Sequence, residues 1–167
     1  GLGSRLWPAS RKQNPKPFMV MPKGHSLIQE TFLRSSLINS VSEILTVTNV
    51  DLLSKTKSEY AHINTSGLKT SFILEPFGKN TAAAIAVSAL YLSNKFSKDC
   101  LMLILPADHT VADQNSFIHL IEQAIPLAAQ LKLITFGAHP NYPDTGYGYI
   151  QYTGTSVKKF AEKPNLD

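Results

Sequence analysis

The sequence predicts an α/β fold with a mainly parallel central sheet, and three observations carry that prediction. Helix-like stretches, with apolar residues recurring three and four positions apart, alternate with short β-rich runs in the order αβαβαβαβ. Leu101-Met102-Leu103-Ile104-Leu105 is an unbroken apolar run, as expected of a strand covered by helices on both faces of its sheet. The chain has 167 residues, 43% hydrophobic and 17% charged, enough to bury a core without staples and unlike a disordered or collagen-like composition. It reads as one domain over residues 1–167.

The elements follow in order. The chain opens on a loop with no apolar strand before Gly1, so the expectation is that a strand preceding it is missing. Ser26 and Gln29 form a capping box that opens a helix to about Ile38, with Ile28/Phe32 and Leu33/Leu37 as i, i+4 apolar pairs. A strand is predicted at Glu43–Asn49. Asp51 is the expected cap of the next helix, where Leu53, Thr56, Tyr60 and Ile63 share a face and Gly67 ends the element. Thr70–Leu74 is the second strand, and Asn80 the expected cap of an alanine-rich helix to about Phe96, whose small side chains suit close packing on a sheet. Leu101–Leu105 is the expected central strand. A helix from about Ser116 to Gln130, kinked or divided at Pro126, leads to a strand at Leu133–Gly137, with short extended pieces at Gly148–Tyr152 and Val157–Phe160.

Charge is concentrated at one end. The formal net charge is +4, yet the first 23 residues carry Arg5, Arg11, Lys12, Lys16 and Lys23 with no acid, leaving the rest of the chain at −1. Gly1, Gly3 and Ser4 in the same segment let backbone N–H groups approach an anion, which points to a phosphate partner rather than a solvated tail. The single cysteine, Cys100, excludes an internal disulfide; its apolar setting predicts a buried, inert thiol in a reducing compartment, with the cytoplasm as the expected location. No apolar run approaches the ~20 residues of a membrane span, and no secretion signal is visible.

In an α/β fold, ligands bind at the carboxyl ends of strands, so the loops after them are the place to look. The opening segment lacks the Gly-Lys-Ser ending of a P-loop and the third glycine of a dinucleotide fingerprint. It offers instead a glycine turn at Gly1, Leu2, Gly3 and Ser4, a guanidinium at Arg5, and Lys16 between Pro15 and Pro17, a set suited to a polyphosphate. Leu105-Pro106-Ala107-Asp108-His109 ends the expected central strand. A carboxylate there, facing a basic phosphate loop, is the arrangement for one Mg2+ bridging protein and phosphates; the alternative is an ordinary turn or helix cap. His109, with no Cys or His at ligand spacing, reads as structural.

Glu75-Pro76-Phe77-Gly78-Lys79-Asn80-Thr81 follows a strand and opens a helix, so it can meet an anion or a base edge, although Asn80 as a plain cap explains it equally. Asp144-Thr145-Gly146-Tyr147-Gly148-Tyr149 sets a tyrosine between glycines, as in a backbone approached closely by a ligand or in a tight turn. Glu162-Lys163-Pro164 pairs a carboxylate and an ammonium that would suit a sugar hydroxyl and its phosphate, or simply face water.

With Gly1–Gln13, Ser26–Thr31, Ile73–Ala82, Leu105–His109, Thr145–Ile150 and Phe160–Pro164 in this order, the chain resembles the sugar-nucleotide pyrophosphorylases. Arg5-Leu6-Trp7-Pro8 and Lys79-Asn80-Thr81 point to the branch that uses mannose 1-phosphate and GTP over its glucose relatives. The resemblance implies a Rossmann-like three-layer α/β/α nucleotidyltransferase fold, truncated at both ends, and the Mg2+-dependent reaction of GTP with mannose 1-phosphate to GDP-mannose and pyrophosphate. It implies that Arg5 and Lys16 hold the triphosphate and that Asp108 binds the metal. Gly1, Leu2, Gly3, Ser4, Glu75, Gly78, Lys79, Asn80, Thr81 and Pro106 would lie along the nucleotide. Gly146, Tyr147, Gly148 and Glu162 would meet the sugar, and Lys163 its phosphate.

Lys79, Ala83 and Asp144 stand where relatives commonly have arginine, proline and glutamate, and the stretch between Ile150 and Val157 is shorter than the family's. A second metal-binding aspartate is expected beyond Asp167, so the 167-residue piece alone is expected to be nearly inactive. Three other readings stay open from the sequence: glucose 1-phosphate with UTP or dTTP as substrates, a noncatalytic nucleotide-binding module, and a nucleic-acid binder. The last lacks the interleaved aromatics and extended basic face such proteins carry. Neither nucleic acid nor membrane is an expected partner, and a homo-oligomer of the full-length protein is compatible with this reading.

Overall fold

The structure is a computed structural model that describes residues 6–11, 13–96 and 100–165. The chain divides into two compact units, Gly1–Lys132 and Leu133–Asp167. In the first, helix α1 spans Leu27–Ser36, strand β1 Glu43–Asn49, helix α2 Val50–Ala61, strand β2 Lys69–Glu75, helix α3 Asn80–Lys95 and helix α4 Gln114–Ala128. In the second, strands β3, Gly148–Thr153, and β4, Ser156–Glu162, form an antiparallel hairpin. Among the described residues no helix is long and apolar enough to cross a membrane.

Strands β1 and β2 pair in parallel with Glu43 opposite Lys69 and Asn49 opposite Glu75, so both carboxyl ends reach the same edge. The helices before and after β1 are set by local chemistry. Ser26 closes the capping box with Gln29, as its sequence spacing predicts. Its hydroxyl also donates to Glu59 Oε2, tying the start of α1 to α2. The core is small and aromatic: Phe18, Ile28, Phe32 and Tyr60 are buried together, and Ile44, Leu52, Ile63, Leu68, Phe72 and Ala107 pack against them. The Phe32 and Tyr60 rings lie 4.6 Å apart, and the Tyr60 hydroxyl is satisfied by Thr46 Oγ1 at 2.9 Å. Arg34, only 2% exposed, lies over the Phe117 ring at 5.4 Å and links α1 to α4. Its Nη2 donates to Thr31 Oγ1, while Nε has no partner. Burial pushes this guanidinium down, with the Glu30 charge acting against it.

The structure corrects several expectations. Leu101–Leu105 and Leu133–Gly137 form no strand, because neither has a ladder partner among the described residues; Leu101, Leu103 and Ile104 are exposed. Cys100, at the start of that uncovered run, is exposed rather than buried. The cap of α2 is Asn49, whose Oδ1 accepts from the Leu52 N–H at 2.9 Å, and Asp51 falls inside the first turn. That helix ends at Ala61, leaving Ile63 and Gly67 beyond it. Asn80 is the first residue of α3 with φ 65°, and Lys79 occupies the cap position without a side-chain bond. Ala82, Ala83 and Ala86 of α3 are exposed, and Ser88 is its buried residue. Asp113 caps α4 by accepting from the Ser116 N–H, and the helix continues through Pro126 to Ala128.

Candidate nucleotide and sugar-phosphate sites

Two residues anchored in one hydrophobic cluster bring the strongest pair of candidates together. Phe18 ends a single 3-10 turn, Lys16–Phe18, and is buried in the core, which fixes the residue two positions before it. Ala107 packs on the same cluster and fixes the residue after it. Lys16 Nζ and Asp108 Oδ2 consequently lie 3.2 Å apart, each side chain about one-third exposed. His109 Nε2 stands 4.0 Å from the other oxygen, Asp108 Oδ1. The ammonium and carboxylate are therefore partnered yet open to solvent. Asp108 sits in a turn after the Leu101–Leu105 run, which reaches this place without being a strand.

The segment after β2 leaves the same edge of the parallel pair. Glu75 is half-buried, and Pro76, Phe77, Gly78, Lys79, Asn80 and Thr81 are exposed. Lys79 Nζ folds over the Phe77 ring at 4.9 Å. A Cβ on Gly78 would meet nothing within 4 Å, so glycine there is not demanded by packing. Pro106 is exposed beside the Asp108 turn. Gly1, Leu2, Gly3, Ser4 and Arg5, the expected glycine turn and guanidinium, lie outside the described residues.

The second unit gathers the other candidates around its hairpin. Gly148 is paired with Glu162, and a Cβ on Gly148 would lie 2.8 Å from Glu162 Oε2. Lys163 adopts φ 46°, its N–H donates to the Tyr147 carbonyl at 3.0 Å, and its Nζ lies 3.7 Å from Glu162 Oε1. Asp144 Oδ1 accepts from the Gly146 N–H at 2.7 Å, which shapes the turn. A hydrogen bond with Tyr142, aided by the Asp144 charge, holds the Tyr147 phenol above its ordinary value, so it is a neutral hydroxyl near pH 7. Gly146, Tyr147, Gly148, Glu162 and Lys163 are thus one exposed cluster. A hollow of about 140 Å³ beside it is lined by Pro143, Asp144, Thr145, Tyr149, Pro164 and Asn165.

Tyr149 was not foreseen as a site residue. Its hydroxyl accepts from the Asp144 N–H at 2.8 Å and donates to the Asp144 carbonyl at 2.9 Å, clamping the base of the turn. The only sequence signal was its place in the Gly-Tyr-Gly-Tyr alternation, which does not say which tyrosine binds backbone.

Asp108 suits a divalent cation of the Mg2+ kind, because it is a hard oxygen donor with one oxygen free of close contact and a phosphate-type lysine beside it. Among the described residues there is no group of three or more His, Cys, Asp or Glu able to hold a metal.

Comparison with known proteins bears on the family and the fold. Mannose-1-phosphate guanylyltransferase of Escherichia coli is 39% identical over 177 residues, covering 99% of this chain and 38% of that protein. The xanthan biosynthesis protein XanB of Xanthomonas campestris pv. campestris is 42% identical over 171 residues, covering 99% of this chain and 36% of its own length. The chain thus spans little more than a third of these relatives. A crystal structure from Thermus thermophilus, described as a mannose-1-phosphate geranyltransferase, superposes with a TM-score of 0.83 at 28% identity. That match covers 99% of this chain and 48% of that one. The shared α/β fold, these relatives and a family model, Nucleotidyl transferase, that matches residues 1–167 lead to one conclusion: the chain belongs to the nucleotidyl transferase family.

Proposed function

We propose that this chain is the nucleotide-binding part of a mannose-1-phosphate guanylyltransferase, which converts GTP and mannose 1-phosphate into GDP-mannose and pyrophosphate. The observation that carries the reading is the open Lys16–Asp108 pair at 3.2 Å, in a chain whose relatives include proteins of that name. A phosphate oxygen of mannose 1-phosphate attacks the α-phosphorus of GTP, a new P–O bond forms, and the bond to the β-phosphate breaks to release pyrophosphate. The attacking phosphate is already ionised near neutral pH, so alignment and charge neutralisation suffice and no protein base is required.

In this reading Lys16 and Arg5 neutralise the triphosphate, with Gly1, Leu2, Gly3 and Ser4 supplying backbone donors and Glu75, Gly78, Lys79, Asn80, Thr81 and Pro106 along the nucleoside. Asp108 holds Mg2+, whose positive charge, when it is bound, offsets the charge gathering on the phosphates. Lys16 leaves Asp108 for the phosphate chain, exchanging one anionic partner for another. Gly146, Tyr147, Gly148 and Glu162 meet the mannose hydroxyls, and Lys163 the sugar's phosphate.

The test is pyrophosphate release by the intact protein across pairs of nucleotide and sugar phosphate. GTP with mannose 1-phosphate is expected to give the highest kcat/KM, and a preference for glucose 1-phosphate with UTP or dTTP would overturn the assignment. Asp108→Asn is expected to lower kcat/KM by about a hundredfold or more, as loss of a charge-stabilising group does. Its thermal midpoint should stay near wild type, because the side chain is partly exposed and outside the core. Wild-type rates for this variant at limiting Mg2+ would remove Asp108 from the metal site.

A further inference from the structure

Lys16 is held by what lies on either side of it, and one side chain touches both sides. Lys55, in the second turn of α2, donates from Nζ to Asn14 Oδ1 at 2.7 Å and lies 3.5 Å from the Gln13 carbonyl. The same ammonium stands 4.7 Å from the centre of the Phe18 ring. Asn14 is the end of a small backbone bridge, exchanging hydrogen bonds with Arg11 at 2.9 and 3.0 Å. Phe18 is the core anchor that follows Lys16. Between these anchors the path is stiff, since Pro15 and Pro17 fix their own φ angles.

The choice of partners is informative. Among the described residues, Lys55 makes no ion pair with a carboxylate. Its partners are a neutral amide and an aromatic face, which hold an ammonium without cancelling its charge. A carboxylate in their place would bind Lys55 more strongly, but would also draw Lys16 and repel a polyphosphate.

We propose that Lys55 is a positioning residue for the phosphate-binding lysine: it clamps the chain before and after Lys16 and so holds that ammonium opposite Asp108 for a nucleoside triphosphate. The proposal rests on the nucleotide reading given above, and its test separates the two. In the intact protein, Lys55→Met retains the stem over Phe18 and removes the donor, Lys55→Arg retains a cation with donors, and Lys16→Met serves as the check on the reading itself. GTP affinity is measured by calorimetry with Mg2+ present, and backbone hydrogen exchange of residues 11–18 is measured without nucleotide.

Lys55→Met is expected to weaken GTP binding about five- to tenfold, the scale of one ordinary hydrogen bond, and to speed exchange across residues 11–18 while leaving α1 unchanged. The apparent KM for mannose 1-phosphate should not move, and Lys55→Arg should recover most of the GTP affinity. Unchanged exchange in Lys55→Met would overturn the clamp. Faster exchange with unchanged GTP affinity, while Lys16→Met binds GTP poorly, would overturn the positioning role and leave Lys55 purely structural. If Lys16→Met itself binds GTP as wild type does, the nucleotide reading falls and takes this proposal with it.

Discussion

Gly148 shows how one flexible side chain can crowd the space beside a glycine. A Cβ there would come within 2.8 Å of Glu162 Oε2, closer than a carbon and a carboxylate oxygen can approach. The glycine was legible in the sequence as a point of close approach, but the sequence offered a ligand or a tight turn as the cause. Within the chain, its near neighbour is a carboxylate from the opposite strand, a cross-strand relation that needs the register of β3 and β4. Gly148→Ala therefore acts on Glu162 rather than on the fold. That side chain is 76% exposed and can swing away, so the thermal midpoint should change little. If Glu162 meets the sugar, its displacement should raise the KM for mannose 1-phosphate about fivefold or more while the KM for GTP stays put. Steady-state kinetics with each substrate varied in turn decide it, and equal changes in both constants would argue against a sugar contact by Glu162.

Helix starts and the four paired strands were legible from local signals, and an apolar run without a ladder partner was the element that misled. Ser26 and Gln29 satisfy each other within one turn, so the start of α1 could be read directly; β1 likewise occupies the predicted Glu43–Asn49. Asn49 and Asp51 are both good caps two residues apart, and only the hydrogen bond to the Leu52 N–H separates them. Leu101–Leu105 shows the opposite limit: apolar patterning records a tendency to be buried, whereas a strand also needs a neighbour to bond. The tie between elements that no pattern announces is Glu43 at the start of β1. Its side chain is 4% exposed, and Lys95 from the end of α3 donates to both its oxygens at 2.6 and 2.9 Å. Burial alone would push this carboxyl up, yet hydrogen bonds from Lys95 and Ser71 together with the Lys95 charge hold it below the ordinary glutamate value. The unfolded chain then takes up the proton first as pH falls. The stabilisation is complete above about pH 4.3, the unfolded value, and is lost as pH drops through the lower folded one. Glu43→Gln should lower the thermal midpoint by several degrees at neutral pH and flatten its fall between about pH 5 and pH 3. Parallel acid slopes for the variant and wild type would mean that the pair does not govern this titration.

Across the whole molecule, the feature the sequence could show without any structure is where the charge lies, and the feature it could not show is which distant groups meet. The order of segments pointed to the nucleotidyl transferase family, while the approach of Lys16 to Asp108 depends on Phe18 and Ala107 sharing one core. The two facts combine into a statement about association. Five cations and no anion in the first 23 residues, against a remainder near neutrality, make that segment of the sequence the one that would attract a polyanion such as a triphosphate. Such long-range attraction is screened by salt: the Debye length shortens from about 30 Å at 0.01 M to about 8 Å at physiological ionic strength. A contact between Lys16 and a bound phosphate would be screened far less. Salt should therefore act chiefly on how fast GTP arrives and much less on how fast it leaves. Stopped-flow measurements over that range should show the association rate falling about tenfold or more, with the dissociation rate nearly constant. Guanosine, which has no phosphate to steer, should associate at a salt-independent rate. If GTP and guanosine respond alike, or if the salt effect lies in dissociation, the basic segment does not draw the nucleotide in.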